Sequence, residues 1–482
     1  MSESGVLARG AALVSGARVL GLLATLLQVK LTVTHLGADR YGLLMTVVLF
    51  VNLAAAWSEL GVGAVVVRRV AGGGANLERQ VGLSLAFSLL LLGPLLLATN
   101  GIAHLLYAGR TSVLVGVAVL SAGLAATTIA TCFQPVAQVR HRFGYLTAMD
   151  VLGRPLSLLL VWWATLVDGG LIWFFLAQLA IPFANLATML VLAHRSGRFR
   201  PVWAFPEIAG LLREALPLTY IALVGTIYFN VDGILLSLLS TAAAVGAYAF
   251  AYRTVWHVTI VSTSIGGVLL ARLSRDAARP AVWRATTATA LRAVAVVAAP
   301  VGVLVAPFAS ELVTLVGSAE MARIAAAPVT VVAVAVGASM VSDLASVALI
   351  ARGRQGVLTR LNTFGLALNI GLNLLLIPRF DAVGAAVALL ATELVGMSAA
   401  LWLIFRDDAA AAPWGVLRLV LPLAAAAAVA HLPGPPWPVL LLAATLTYAA
   451  GVLALRVVRP DEIRALRGGS PGDSVVAEGA AP

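Results

Sequence analysis

Fourteen apolar stretches, each long enough to cross a bilayer, constrain this chain more than any other feature of its sequence. A helix spans the hydrocarbon layer with about 20 consecutive apolar residues. Such runs fall at 11–33, 42–63, 82–103, 113–135, 146–167, 171–193, 215–239, 244–270, 289–317, 327–350, 358–378, 382–404, 414–431 and 437–457. In lipid every backbone N–H and C=O must find its partner within the segment, so runs of this length fold as helices. The turns between them carry Gly, Pro or charge, as in "HLGADRYG", "LVDGGL" and "PGPPWP". Only 11% of the residues are charged and 61% are hydrophobic, whereas a soluble domain carries about 25% charge. The fold class expected is therefore an all-α integral membrane protein with fourteen transmembrane helices, and a soluble enzyme is set aside.

Charge gives the orientation. Arginines at 9, 68, 69, 79, 140, 142, 195, 198, 200, 213, 272, 275, 279, 284, 352, 354, 360, 406, 456, 459, 464 and 467 fall in loops of one side, 22 in all, against four (40, 110, 323 and 379) on the other. Cytoplasmic loops carry the excess of basic residues, so both termini are expected in the cytoplasm of a cell (inner) membrane. The net charge of +11 is then accounted for by topology and attraction to anionic membrane lipids, not by nucleic acid. Cys132 is the sole cysteine, so there is no internal disulfide and no cysteine metal site. The polar start "MSESGVLARG" leads straight into a long apolar run, and no removable signal peptide is expected. The tail, 461–482, is polar and rich in Gly, Pro and Ser, and is expected to be disordered and cytoplasmic.

The sequence repeats itself faintly. "QVRHRFG" ends the fourth span and "IARGRQG" the tenth; "DRYG" opens the second and "AAVG" the eighth. Each pair is six helices apart, which keeps the same membrane orientation and implies a parallel repeat. The expected organisation is an N-lobe of six helices (1–200), a C-lobe of six (201–405) and a C-terminal helix pair (406–460). Transporters commonly place their substrate path between such halves.

A charge at mid-bilayer costs at least ~2.5–3.5 kcal/mol, so each one calls for a reason. Asp232 and Arg253 lie ten residues before and eleven after Ala242, the centre of the turn between spans 7 and 8. At a rise of about 1.5 Å per residue they reach nearly the same depth. Arg18 and Glu59 repeat that arrangement about the first turn, and Asp150 and Arg154 are spaced i, i+4 with the acid first, which favours pairing on one helix face. The plain reading is three ion pairs that hold helices together. The other is a hydrated cavity that meets a charged substrate. Lys30 lies toward the outer face, where its stem can snorkel. Asp343 and Glu393 have no cationic neighbour in sequence and are candidate proton or cation sites. No zinc-protease, phosphate-loop or nucleophile-elbow motif is present, and no extramembrane loop exceeds about 20 residues. No cofactor is implied, beyond coupling to a proton or sodium gradient.

Three stretches carry a resemblance. "LGADRYGLLM" (Leu36–Met45) followed by "SELGVGAVVVRRVA" (Ser58–Ala71), then "NVDGILLSLLSTAAAVGAYAFAYR" (Asn230–Arg253), then "LNIGLNLLLIPRFDAVGAAVALLATE" (Leu368–Glu393) resemble, in this order, the bacterial oligosaccharide flippases of polysaccharide biosynthesis and export. One departure is Ala271, in a region where that family usually has proline before a basic turn. Multidrug extruders and the flippase of the lipid-linked peptidoglycan precursor belong to the same superfamily. The resemblance implies a two-lobed bundle working by alternating access on a polyprenyl-diphosphate-linked sugar, moved from the inner to the outer leaflet. Such an anionic headgroup asks for cations within the membrane. Arg18, Lys30, Arg154 and Arg253 are the substrate-binding candidates, with Glu59, Asp150, Asp232, Asp343 and Glu393 as counter-charges or coupling sites. Arginine suits bidentate phosphate recognition. A polysaccharide polymerase and export machinery would be partners. Two other classes compete. A cation-coupled multidrug extruder should show acids outnumbering bases in the first lobe, where Arg18, Lys30 and Arg154 face only Glu59 and Asp150. A membrane-embedded polymerase or glycosyltransferase should carry a long outer loop.

Overall fold

The computed structural model describes residues 3–406, 409 and 412–457. Among these every regular element is helical. Eleven helices are long and apolar enough to cross a membrane, and a shorter apolar segment, Trp414–Ala430, is a twelfth candidate. Two of the eleven are each 51 residues long, Gly21–Ala71 and Gln355–Phe405. Each contains a sharp break: Gly37 has φ 72° and ψ 174°, and Asp381 has φ 48° and ψ −129°. At about 1.5 Å per residue a straight helix of that length would be far longer than the bilayer is thick, so a reversal at each break follows from length alone. The polar tail expected to be disordered lies outside the described residues.

The side chains facing outward are those lipid selects. Leu97, Leu105 and Leu453 are 77%, 82% and 76% exposed. A surface carrying so many large exposed apolar groups suits hydrocarbon and would drive association in water. Interior crossings rely instead on small residues, which let backbones approach.

The chain divides into two compact units. The first is Met1–Ala249 with Thr314–Ile324. Its helix Phe205–Leu239 is fastened near both ends. At one end Glu214 takes hydrogen bonds from Arg68 and Arg69, both 2.7 Å, and Glu207 is held by Arg79. At the other, the Arg110 guanidinium donates to the Ser237 carbonyl at 2.7 Å, and Tyr107 Oη and Ser237 Oγ lie 2.7 Å apart. Glu214 and Ser237 are separated by about 35 Å of helix, which is the scale of a bilayer. Pro217 lies between them, inside the helix.

The second unit is Phe250–Val313 with Ala325–Pro482. Helix Pro280–Val305 receives the last helix, Trp437–Ala454, through the Tyr448 hydroxyl, which donates to the Val296 carbonyl at 2.8 Å. Gly302 and Gly337 allow close crossings; a Cβ on Gly337 would lie 2.8 Å from the Ala298 carbonyl. Trp283 is fully buried with the Arg352 guanidinium 4.8 Å from its ring centre.

The two sequence echoes reappear as local geometry. In "QVRHRFG" the chain turns at His141 (φ 53°), and in "IARGRQG" at Gly353 (φ 70°). Arg142 N–H bonds the Ala137 carbonyl at 2.8 Å, and Arg354 N–H bonds the Leu349 carbonyl at 3.0 Å. Both are the six-to-one bond that closes a helix through a left-handed residue. The glycines of the other echo, Gly42 and Gly246, meet each other. A Cβ on Gly246 would lie 2.7 Å from the Ala38 carbonyl and 3.2 Å from Gly42 N, and one on Gly42 would overlap the Ala242 carbonyl oxygen.

Candidate functional site

Of the two first-lobe arginines expected to bind substrate, Arg154 has a described side chain, and it lies along the first helix. Arg154 comes from helix Phe143–Leu166. Its Cδ would sit 3.4 Å from a Cβ on Gly21, and its Nη1 donates to Thr25 Oγ1 at 3.3 Å. One turn further along, Gln28 Nε2 donates to Ser157 Oγ at 3.1 Å, and Ser157 donates to the Ala177 carbonyl. A polar strip therefore joins these two helices, and the arginine stem packs against the helix backbone at Gly21. Arg18 is less than one turn from Gly21 in sequence. Its side chain, like those of Glu59 and Asp150, is outside the described set, although all three backbones are helical. The expected Arg18–Glu59 and Asp150–Arg154 pairs thus have no geometry to report.

Lys30 is exposed, and its ammonium donates to the Leu315 carbonyl at 2.9 Å. Thr34 donates to the Gly317 carbonyl at 3.3 Å. These carbonyls close the helix Ala309–Val316, whose terminal C=O groups lack intrahelical donors and attract cations. In this geometry Lys30 caps a helix end.

Asp232 is 3% exposed and accepts a hydrogen bond from the Tyr248 hydroxyl at 2.7 Å. Arg253, half-buried, lies four residues beyond the boundary between the compact units, on the other side from Asp232. The Tyr248 O–H is thus one donor to the buried Asp232 carboxylate. Tyr248 went unnoticed in the sequence because an i, i+16 separation across a turn has no periodic signature.

In the second unit Asp343 accepts from the Ser262 hydroxyl at 3.0 Å. Glu393 is buried in the broken helix, next to buried Thr392. Asn369 and Asn373, both with no exposed surface, face each other on that helix: Asn373 Nδ2 donates to the Asn369 carbonyl and to Asn369 Oδ1 at 2.9 and 3.0 Å. Buried amides of this kind are costly in lipid unless paired. Among the described residues no group of three or more His, Cys, Asp or Glu side chains is arranged to hold a metal.

The first unit also encloses a cavity of about 240 Å³. It sits where two helices are interrupted, at the left-handed pair Leu60 and Gly61 and at the step between Thr131 and Gln134, and beside Ala222 and Thr226 of the helix Phe205–Leu239. Ser58, Ser84 and Ser88 form its buried wall, while Gln138 is exposed at its edge. Thr219 stabilises the first interruption by donating to the Leu60 carbonyl at 2.6 Å. Among the described residues, none of the expected cations lines this cavity.

Broken membrane helices around polar interior groups define a class, the multi-pass helical membrane protein, and solved structures share the fold. The structure is similar to that of the lipid II flippase MurJ in an inward closed conformation, with TM-score 0.79, 13% identity, and coverage of 92% of this chain and 99% of that one. It is similar also to an inward-facing multidrug resistance MATE family transporter of the MOP superfamily (TM-score 0.62, 14% identity, covering 81% and 94%) and to a MOP superfamily transporter from Pyrococcus furiosus (0.54, 14%, 83% and 93%). These relatives are transporters rather than enzymes. No protein of curated function matches the sequence. The family described as polysaccharide biosynthesis protein matches residues 35–325, and the chain belongs to that family.

Proposed function

We propose that this protein flips a polyprenyl-diphosphate-linked oligosaccharide from the inner to the outer leaflet of the bacterial cell membrane, by alternating access, during surface polysaccharide synthesis. The family match over residues 35–325 carries the reading, and the fold shared with a lipid II flippase supports it. The topology proposed is fourteen spans: the helices broken at Gly37 and Asp381 count as two spans each, and Trp414–Ala430 as one. Both termini are then cytoplasmic, with spans 1–6 and 7–12 as lobes.

The diphosphate needs cations that stay charged. Arg154, laid against the first helix at Gly21 and Thr25, would act on the diphosphate together with Arg18, and Arg253 would supply a further guanidinium. Lys30 serves the same headgroup only if it leaves the Leu315 carbonyl during the cycle. Asp232, Asp343 and Glu393 are the candidates for proton or sodium coupling. Polymerising and exporting proteins would consume the product on the outer side.

The test is surface polysaccharide in cells whose own copy is deleted and replaced by variants, with protein level measured on the same cells. Arg18→Glu and Arg154→Glu should each insert normally and abolish export, since both reverse the charge offered to an anionic headgroup. If both export at wild-type level, the cationic site is wrong and a cation-coupled drug extruder takes its place.

A further inference from the structure

The cavity beside Leu60 and Gly61 is not used by the cations assigned above, and its chemistry differs from theirs. None of its described lining residues carries a charge. Its polar groups are hydroxyls, carboxamides and backbone: Ser58, Ser84, Ser88, Thr131, Gln134 and Thr226. Ser58, Ser84 and Ser88 are all under 5% exposed. The opening turn of the helix Val62–Ala71, at the cavity wall, adds N–H groups with no acceptor inside that helix. In a chain that is 61% hydrophobic, neutral donors and acceptors gathered around one void mark a place for a polar guest.

Deepening the flippase reading, on which it rests, we infer that this cavity receives an uncharged sugar ring of the headgroup. A phosphate would ask for a guanidinium or ammonium, and none of the described lining residues supplies one. An apolar drug or lipid tail would leave unused the hydrogen-bonding capacity that the lining hydroxyls keep beyond the bonds of Ser58, Ser88 and Thr131 within the chain. A sugar's hydroxyls both donate and accept, as do those of Ser, Thr and Gln. The volume of about 240 Å³ equals that of about eight waters in the liquid, enough for one ring with a substituent. The sugar and the diphosphate are thereby recognised by separate groups of one unit: neutral ones here, cationic ones at Arg154.

Cys132, the sole cysteine, is a built-in reporter. It lines the cavity, and its thiol donates to Ser88 Oγ at 3.1 Å. The experiment follows its alkylation by N-ethylmaleimide in two strains expressing the full chain. One lacks the polymerising enzyme and accumulates lipid-linked oligosaccharide; the other lacks the first sugar-phosphate transferase and holds only the bare carrier. Alkylation should be several-fold slower in the first. Thr226→Val, which removes one hydroxyl at constant shape, should cut that protection about fivefold, as expected for the loss of one hydrogen bond. Ala222→Phe, which fills the mouth from an exposed position, should lower export about tenfold or more at normal protein level, because filling the mouth excludes the ring. Gly225→Ala, on the same helix with nothing within 4 Å of its Cβ, should export as wild type. If alkylation is equal in the two strains and Ala222→Phe exports normally, the sugar pocket is wrong. If deletion of the whole gene leaves surface polysaccharide unchanged, the flippase reading has failed instead.

Discussion

Gly246→Ala should part the seam between Ala38–Gly42 and Ala242–Gly246. A Cβ at 246 would lie 2.7 Å from the Ala38 carbonyl oxygen and 3.2 Å from Gly42 N. Both obstacles are backbone, so neither can swing aside. An unstrained carbon contact needs about 3.5 Å, and restoring it moves the two segments apart by about 0.8 Å. Overpacking of this kind costs about 1–3 kcal/mol. If the seam opens during transport, that cost biases the equilibrium toward the open form by roughly 5–150-fold. The assay is labelling of Ala38→Cys, in a Cys132→Ser background, by a membrane-impermeant maleimide applied outside intact cells. Ala38 is 4% exposed with the seam closed, so labelling should be slow with Gly246 and at least severalfold faster once Gly246→Ala is added. Gly101→Ala, with nothing within 4 Å of its Cβ, should leave the rate unchanged. Equal labelling with and without Gly246→Ala, at equal protein level, would refute the argument that this backbone contact is what closes the seam.

Tyr248→Phe should destabilise the solubilised protein by about 1–3 kcal/mol, because it leaves a buried carboxylate short of a donor; Asp232→Asn should recover part of the loss, and strict additivity in thermal unfolding would contradict the pairing. The guanidiniums hold two carboxylates below their ordinary range, Arg79 that of Glu207 and Arg69 with Arg68 that of Glu214, in each case through hydrogen bonds first. Their stabilising effect is full above the ordinary glutamate value of about 4.3 and is lost as pH falls through the lowered folded values. Thermal midpoints should therefore drop in acid, and less so in a Glu207→Gln, Glu214→Gln variant; an identical acid profile would remove the clamp from the account. Reporter fusions after Gly74, Arg142, Gly197, Arg279 and Gln355 should read cytoplasmic, and those near Asp39, Gly169, Ala243 and Gly434 external; reversal at two consecutive loops would overturn the fourteen-span topology.

The sequence by itself determined the membrane, the helices and the turn chemistry. Apolar length is a local property, and lipid leaves no alternative to helix. The two Arg-x-Arg echoes were legible for the same reason. A left-handed residue closing a helix involves only about six consecutive positions, so His141 and Gly353 could be matched before any packing was known. The charges behaved differently. Depth arithmetic gives Asp232 and Arg253 a similar level in the membrane, but a helix presents its residues around a full circle, so depth alone does not say which side chains meet. The tertiary structure decided that Tyr248 meets Asp232, that Lys30 reaches Leu315, and that Arg154 lies across Gly21. The cavity was invisible for a related reason. Ser58, Ser84, Thr131 and Thr226 come from four distant stretches of chain, and each alone reads as an ordinary small polar residue in a helix. Only the rotation of each helix about its axis, fixed by how the helices pack, turns them toward one void.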